Sequence, residues 1–422
     1  MSLQVTNNAT PPDLNTATYI RVEISQPSVN GGTVISTRLT GCPIVSNSGT
    51  TSAYNCYTGY PDGYINGIAK FGYANFNYTA PSVPGSYTLT ATCTNPLCAN
   101  SQSATINVVC PAGTQLNAAG TACVEAFSLT LNAPPGDLEP SGTAAGDANS
   151  SKAMSVYVKS EKTGLAKSGA VVRVTLDAVA GSGGHLHNEP APNVRPKGTL
   201  VKGALAKLDC TPTNGILGSY DCTTGADGYA KFTYFAPIAS GTHAIIAACT
   251  TPICINNPQT AAVDVKVAGL SQISDSTLYA LTEADGSVIG AKAGRHTDNH
   301  NMAPAAADAL WRLAARYRFE GRFQQGAGTT PRILYLNDAS LPWGGVYDIS
   351  TAWQPSHLEH RRGTVVDVRA NGATGAIPSG DIKLFFKRML NEEVRMSGIS
   401  FLHENPGTTN EHFHIRLQGR GE

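Results

Sequence analysis

The 422-residue chain carries no net charge, no cysteine after Cys254, no CxxC pair and no apolar run long enough to span a bilayer. Thirty basic residues balance thirty acidic ones, so no electrostatic field favours nucleic acid or an anionic membrane as a partner. The missing CxxC pairs argue against a zinc ribbon. The opening Met1-Ser2-Leu3-Gln4 has neither a basic n-region nor an apolar h-region, so an exported protein is expected to stand here in a mature or a trimmed form. Charged residues make up only 14% of the chain while glycine and proline are plentiful, a balance that suits β-sandwich modules with many turns.

What is present begins with ten cysteines, at 42, 56, 93, 98, 110, 123, 210, 222, 249 and 254. An even number at short spacings among Thr/Asn/Gly-rich strands reads as a disulfide framework made in an oxidising compartment. The cysteines also mark an internal repeat. One copy runs Tyr54-Asn-Cys-Tyr-Thr-Gly59, then Ala69-Lys-Phe-Gly-Tyr73, then Pro84 to Cys98. The other runs Tyr220-Asp-Cys-Thr-Thr-Gly225, then Ala230-Lys-Phe-Thr-Tyr234, then Ser240 to Cys254. The simplest pairing is local: Cys42–Cys56, Cys93–Cys98, Cys210–Cys222 and Cys249–Cys254, with Cys110–Cys123 closing the loop between the copies. Both copies alternate apolar and polar residues, as half-buried strands do. The stretch from Asp227 to Pro237, followed by Ser240-Gly-Thr242, resembles the bacterial Ig-like domains of invasin-type surface proteins. That resemblance implies a spacer or adhesive sandwich and a partner at a cell surface.

After Ala268 the pattern changes. Seven of the ten histidines lie there, and helical periodicity sets in. Ala307, Leu310, Leu313, Ala314 and Tyr317 fall on one face of a helix that follows Pro304. A second helix is expected from Asp381, with Leu384, Phe385, Leu390 and Val394 inward. Strands are expected at 332–336, 363–369, 399–402 and 412–417. The expected fold class is therefore two all-β Ig-like sandwiches stapled by disulfides and followed by an α+β domain. Its expected boundaries are 1–110, a disulfide-closed linker 111–126, a second sandwich 127–268, and 269–422.

Two segments of the last domain carry chemistry. In His357-Leu-Glu-His-Arg-Arg-Gly-Thr-Val-Val-Asp367, Gly363 lets the backbone turn between His360 and Asp367. In Glu411-His-Phe-His-Ile-Arg-Leu417, His412 and His414 share one face of a strand because the side-chain period is two. Imidazole and carboxylate donors suit zinc, and three protein ligands leave a fourth position for water.

These segments resemble the LAS family of zinc peptidases, and most closely its penicillin-insensitive murein endopeptidases. Their H-x-x-H-x-x-G-x-x-x-D and H-F-H-[VI]-R-L patterns stand here as His357, His360, Gly363, Asp367 and then His412-Phe-His-Ile-Arg-Leu417. The resemblance implies that His360, Asp367 and His414 hold zinc, that His412 is the active-site histidine, and that His357 lies on the substrate side. It implies hydrolysis of peptide bonds in bacterial peptidoglycan, outside the cytoplasm.

Glu411 has the E-x-x-H spacing of the dipeptidase branch and is a second candidate for general acid/base work, although on a regular strand it would point away. Arg295 to His300, and Asp338 to Asp348, read as loops that either line a cleft, with Asp348 on the substrate side, or form plain turns, which fit nearly as well. Gly183-Gly-His-Leu-His187 reads as an exposed loop. Two other readings stay open: a non-enzymatic adhesin or cell-wall binder with a structural or recognition zinc, and a peptidase acting on proteins.

Overall fold

The computed structural model describes residues 2–4, 19–25, 44–48, 51–57, 64–65, 68–69, 73–75, 83–95, 100–141, 149–184, 194–200, 209–282, 299–323, 332–346, 353, 358–371, 376–378 and 380–417. They are mostly β. Two compact units result, one of residues 1–127 with 160–165, the other of 128–159 with 166–422. Among the described residues no helix is long and apolar enough to cross a membrane.

The repeat seen in the sequence is a repeat of strand pairing. In the first unit, Ile44–Ser48, Thr51–Tyr57, Tyr19–Ser25, Gly85–Asn95 and Gln102–Val108 lie side by side in that order. In the second unit, Cys210–Pro212, Ser219–Thr223, Val171–Ala178, Gly241–Thr251 and Gln259–Val265 repeat the order strand for strand. The register repeats as well. Ile20 pairs with Cys56 on one side and Cys93 on the other, and Val172 pairs likewise with Cys222 and Cys249. The register slips immediately before each of these central residues, between Tyr19 and Ile20 and between Val171 and Val172.

Among the described residues three disulfides are formed: Cys110–Cys123, Cys210–Cys222 and Cys249–Cys254. Cys210 and Cys222 stand directly opposite each other on neighbouring strands. The expected bridges Cys42–Cys56 and Cys93–Cys98 each have a partner outside the described residues. Stable disulfides fit an oxidising, extracytoplasmic compartment.

A three-stranded sheet of Phe127–Asn132, Ser151–Ser160 and Tyr229–Phe235 faces the five-stranded sheet that contains Val171–Ala178. Strict alternation buries Met154, Val156 and Val158 from the first sheet and Val172, Val174 and Leu176 from the second. The Tyr234 and His243 rings approach to 6.5 Å between them.

The chain then builds a mixed sheet with two helices on one face. Its strands are β1 (Tyr279–Leu281), β2 (Leu334–Leu336), β3 (Val365–Arg369), β4 (Ser400–Glu404) and β5 (His412–Arg416), arranged β1-β2-β3-β5-β4. Only the β1–β2 pair is parallel. Helix α1 spans Pro304–Gly321 and α2 spans Asp381–Ser397. Proline at the first helical position of α1 loses no hydrogen bond, because that amide has no intrahelical partner. Ala306, Leu310, Leu313, Ala314 and Tyr317 of α1 bury against the sheet, with Ala307 at the edge of that stripe.

Helix α2 corrects the sequence expectation. Its buried stripe is Ile382, Phe385, Phe386, Met389 and Leu390, whereas Leu384 and Val394 are exposed. Spacings of three, one, three and one keep the five on one side of a 3.6-residue helix, while Leu384 points roughly opposite. Tyr317, Phe386 and Phe413 join helices and sheet edge-to-face, with ring centroids 5.1 and 5.2 Å apart.

Candidate metal centre

The strand period assigns the two faces of the sheet. Val366 and Val368 of β3, with Phe413 and Ile415 of β5, pack towards the helices. Their neighbours Asp367, Arg369, His412 and His414 therefore share the other face. Cross-strand pairing sets them in rows: Arg369 opposite His412 opposite Glu404, and next to it Asp367 opposite His414 opposite Leu402.

His360 reaches the second row from a short 3₁₀ turn, Leu358–Arg362, that leads into β3. Gly363 ends that turn at φ +67°. A Cβ there would come within 2.5 Å of Leu270 and 2.9 Å of the Ala303 backbone nitrogen, so both the turn and the packing require glycine. His360 Nε2 then lies 3.4 Å from Asp367 Oδ2, and His414 Nδ1 lies 2.8 Å from Asp367 Oδ1. One donor atom from each of His360, Asp367 and His414 falls within 4.8 Å of the others, and all three residues are buried.

Each donor is held from behind. His360 Nδ1 donates to the Ala339 carbonyl oxygen at 2.7 Å, which turns Nε2 inward. His414 Nε2 lies 3.0 Å from the Glu359 carboxylate, itself gripped by the Arg416 guanidinium. Arg416, with His414 behind it, holds the Glu359 carboxyl down at about 2. Burial alone would raise the Asp367 carboxyl, but the His360 charge and the bonds from His360 and His414 outweigh it and hold it well below the carboxylate range. Burial works against charge on His360, and Asp367 overrides it, raising that imidazole above its ordinary value.

The donor set fits a zinc ion: two imidazoles and one ionised carboxylate converge, each imidazole oriented through its second nitrogen by a carbonyl or carboxylate.

His412 stands beside this cluster. Its Nδ1 donates to the Asn410 carbonyl oxygen at 2.8 Å, and its Nε2 lies 3.2 Å from Glu404 and 3.6 Å from Asp367. The Glu411 carboxylate is engaged elsewhere, accepting from Lys383 Nζ at 2.8 Å, His403 Nε2 at 2.7 Å and the Gly407 amide at 3.2 Å. His357 and Asp348, expected on the substrate side, lie outside the described residues, as do His185 and His187.

Of the two expected cleft loops, Asp338 sits behind the centre. Its carbonyl accepts from the Asp367 amide, and its side chain accepts from Asn299 at 2.6 Å. His300 is buried with Nε2 3.0 Å from the Leu336 carbonyl oxygen. Sequence reasoning passed over Glu359, Glu404 and Arg369. Arg369 carried a signal, because it lies two residues beyond Asp367 and so on the same strand face.

No family model matches the chain, and no curated protein does. Solved structures that match include invasin, a bacterial integrin-binding protein, at 11% identity over 68% of this chain and TM-score 0.21. The Yersinia pseudotuberculosis adhesin InvE matches at 12% identity over 79% of this chain and 86% of its own, TM-score 0.24. The D0-D1 domain of intimin matches at 13% identity over 63% and 88%, TM-score 0.19. The match spans 40% of the invasin chain. At such identities and TM-scores these likenesses carry no argument about what the chain does.

Proposed function

We propose that the α+β segment is a zinc-dependent peptidase of the LAS kind, acting on peptide bonds in the stems or cross-links of bacterial peptidoglycan, with the sandwiches as extracytoplasmic modules. The observation that carries this reading is the convergence of His360, Asp367 and His414, with His412 on the same sheet face. A zinc ion held by the three would supply Lewis acidity towards a scissile carbonyl and a bound water of lowered pKa.

The protein's own groups then divide the work. Asp367 stays ionised and His360 and His414 are pre-oriented, so little rearrangement accompanies metal binding. His412, fixed by the Asn410 carbonyl, aims Nε2 at the reaction side and is the group that takes or gives a proton there. Glu411 is committed to Lys383 and His403, which favours His412 over it in that role. Arg369, buried in the row of His412, is a fixed cation for a carboxylate or polarised carbonyl of a peptide stem.

The test is incubation of zinc-loaded protein with cross-linked muropeptides and mass analysis of the products. Cleavage at a peptide bond, abolished by a chelator and restored by zinc, is expected. A site closed by a fourth side chain, with no cleavage near neutral pH, leaves a binding protein instead.

A further inference from the structure

We propose that the second sandwich is a structural part of the metal centre: the corner 238–240 clamps the loop 339–346, and through that loop fixes the ligand His360. The proposal rests on the metal reading given above but not on catalysis.

The chain of contacts is short. His360 is oriented by the Ala339 carbonyl oxygen at 2.7 Å. Six residues on, the Gly345 amide donates to the Arg361 carbonyl oxygen at 3.0 Å, immediately next to His360. One loop thus grips the ligand's ring and the backbone of the residue that follows it.

That loop is held in turn by the sandwich. Ala239 and Gly345 form an antiparallel bridge, and the Val346 amide donates to the Ile238 carbonyl oxygen at 2.9 Å. The Ser240 hydroxyl donates to the Gly344 carbonyl oxygen at 2.7 Å in a buried position. The Val267 amide, just after the last sandwich strand, donates to the Trp343 carbonyl oxygen at 2.9 Å, and Lys266 lies 5.2 Å over the Trp343 ring.

Packing closes the seam. Ala239, Val346 and Trp353 form a small buried cluster with Ile238 against it. A Cβ on Gly345 would come within 2.5 Å of the Ser240 amide nitrogen, at a backbone φ of +77°. The buried Arg195 guanidinium donates to the Ser182 and Ser240 carbonyl oxygens, both at 3.0 Å, and the Trp353 ring lies 5.3 Å from it. A flexible spacer would show none of this. Relative motion is the default between domains, and here it is opposed by main-chain pairing that crosses the seam and ends one residue from a ligand.

Ligand-orienting partners of this kind typically affect metal affinity by roughly ten- to a hundredfold. Two full-chain variants test the clamp. Ser240→Ala removes the hydroxyl that holds Gly344, and Gly345→Ala inserts a methyl into the seam. A control, Val174→Ala, weakens the sandwich core away from the seam. Zinc affinity is read by competition with a chromophoric chelator, and ligand geometry by the d–d spectrum after cobalt substitution.

Both seam variants are expected to bind zinc about tenfold more weakly or worse, with an altered cobalt spectrum, while the control matches the unmutated protein. Unchanged affinity and spectrum in Ser240→Ala and Gly345→Ala overturns the proposal. If Gly345→Ala does not fold, Ser240→Ala decides alone. If the unmutated protein binds no metal, the metal reading fails separately. Hydrogen exchange then judges the clamp: the Gly363 and Asp367 amides must exchange faster in the seam variants, and unchanged exchange overturns it.

Discussion

His243 provides the sharpest test of the sandwich interior. It lies on the strand Gly241–Thr251, fully buried, beside the Tyr234 ring and within the field of Arg195. Burial first, and the Arg195 charge second, push the imidazole down from 6.5 to about 4, although the Ala239 backbone, Asp177 and Asp264 pull slightly the other way. The folded protein therefore keeps this ring neutral where the unfolded chain would protonate it.

The folded value is depressed, so the stability tied to His243 is fully present above pH 6.5 and is lost as pH falls towards 4. At about 1.4 kcal/mol per pH unit, moving from pH 7 to 4.5 removes roughly 2 to 3 kcal/mol from this one group. The assay is urea denaturation at both pH values for the unmutated protein and His243→Leu. The substitution should remove that share of the acid loss even if it lowers stability at pH 7. Equal acid losses in the two proteins would refute the argument, because another group would then carry the titration.

Other outcomes follow from the centre and its surroundings. His414→Ala should abolish zinc binding measured by chelator competition, whereas His412→Ala should retain zinc yet lose most muropeptide cleavage; cleavage unaffected in the latter would remove His412 from the chemistry. Glu411→Ala should leave zinc affinity intact and lower stability by roughly 1 to 3 kcal/mol in chemical denaturation, because the Lys383 ammonium and His403 lose their shared acceptor. Gly363→Ala should destabilise the α+β segment by more than 1 kcal/mol, read as a drop in melting temperature, since its φ of +67° and the Leu270 contact both oppose a side chain. Titration of the denatured, unreduced protein should find no thiol at Cys110, Cys123, Cys210, Cys222, Cys249 or Cys254.

The parts of the molecule that were legible in the sequence are those governed by a local period. His412 and His414 had to share a face of β5, because spacing along a strand decides it, and the duplicated Tyr-x-Cys segments pair alike in the two sheets. The Asp367–His414 approach was implied by the family resemblance of the two segments, and it is the β3–β5 register that brings the pair together. What spacing does not encode stayed hidden. Glu404 joins the row of His412 only through the β4–β5 register, and Glu359 reaches His414 only because the 3₁₀ turn carries it there. The edge strand Tyr279–Leu281 is too short to show a period. In α2, Leu384 and Val394 are apolar yet stand off the stripe of Ile382, Phe386 and Met389, a difference of helical angle that apolar character alone does not carry. The seam between the sandwich and the α+β segment joins residues about a hundred positions apart and leaves no local mark.

The three bridges described here span only 13, 12 and 5 residues. Closing such small rings restricts the unfolded chain modestly, about 2 to 3 kcal/mol each in the chain-entropy account. Their larger consequence is for biogenesis. A chain threaded outward in order presents each pair of thiols to the oxidant within a dozen or so residues of emergence, before the next pair is exposed. Nearest-neighbour oxidation then yields these native pairs, and two modules with matching cysteine patterns can mature on one polypeptide without exchanging partners.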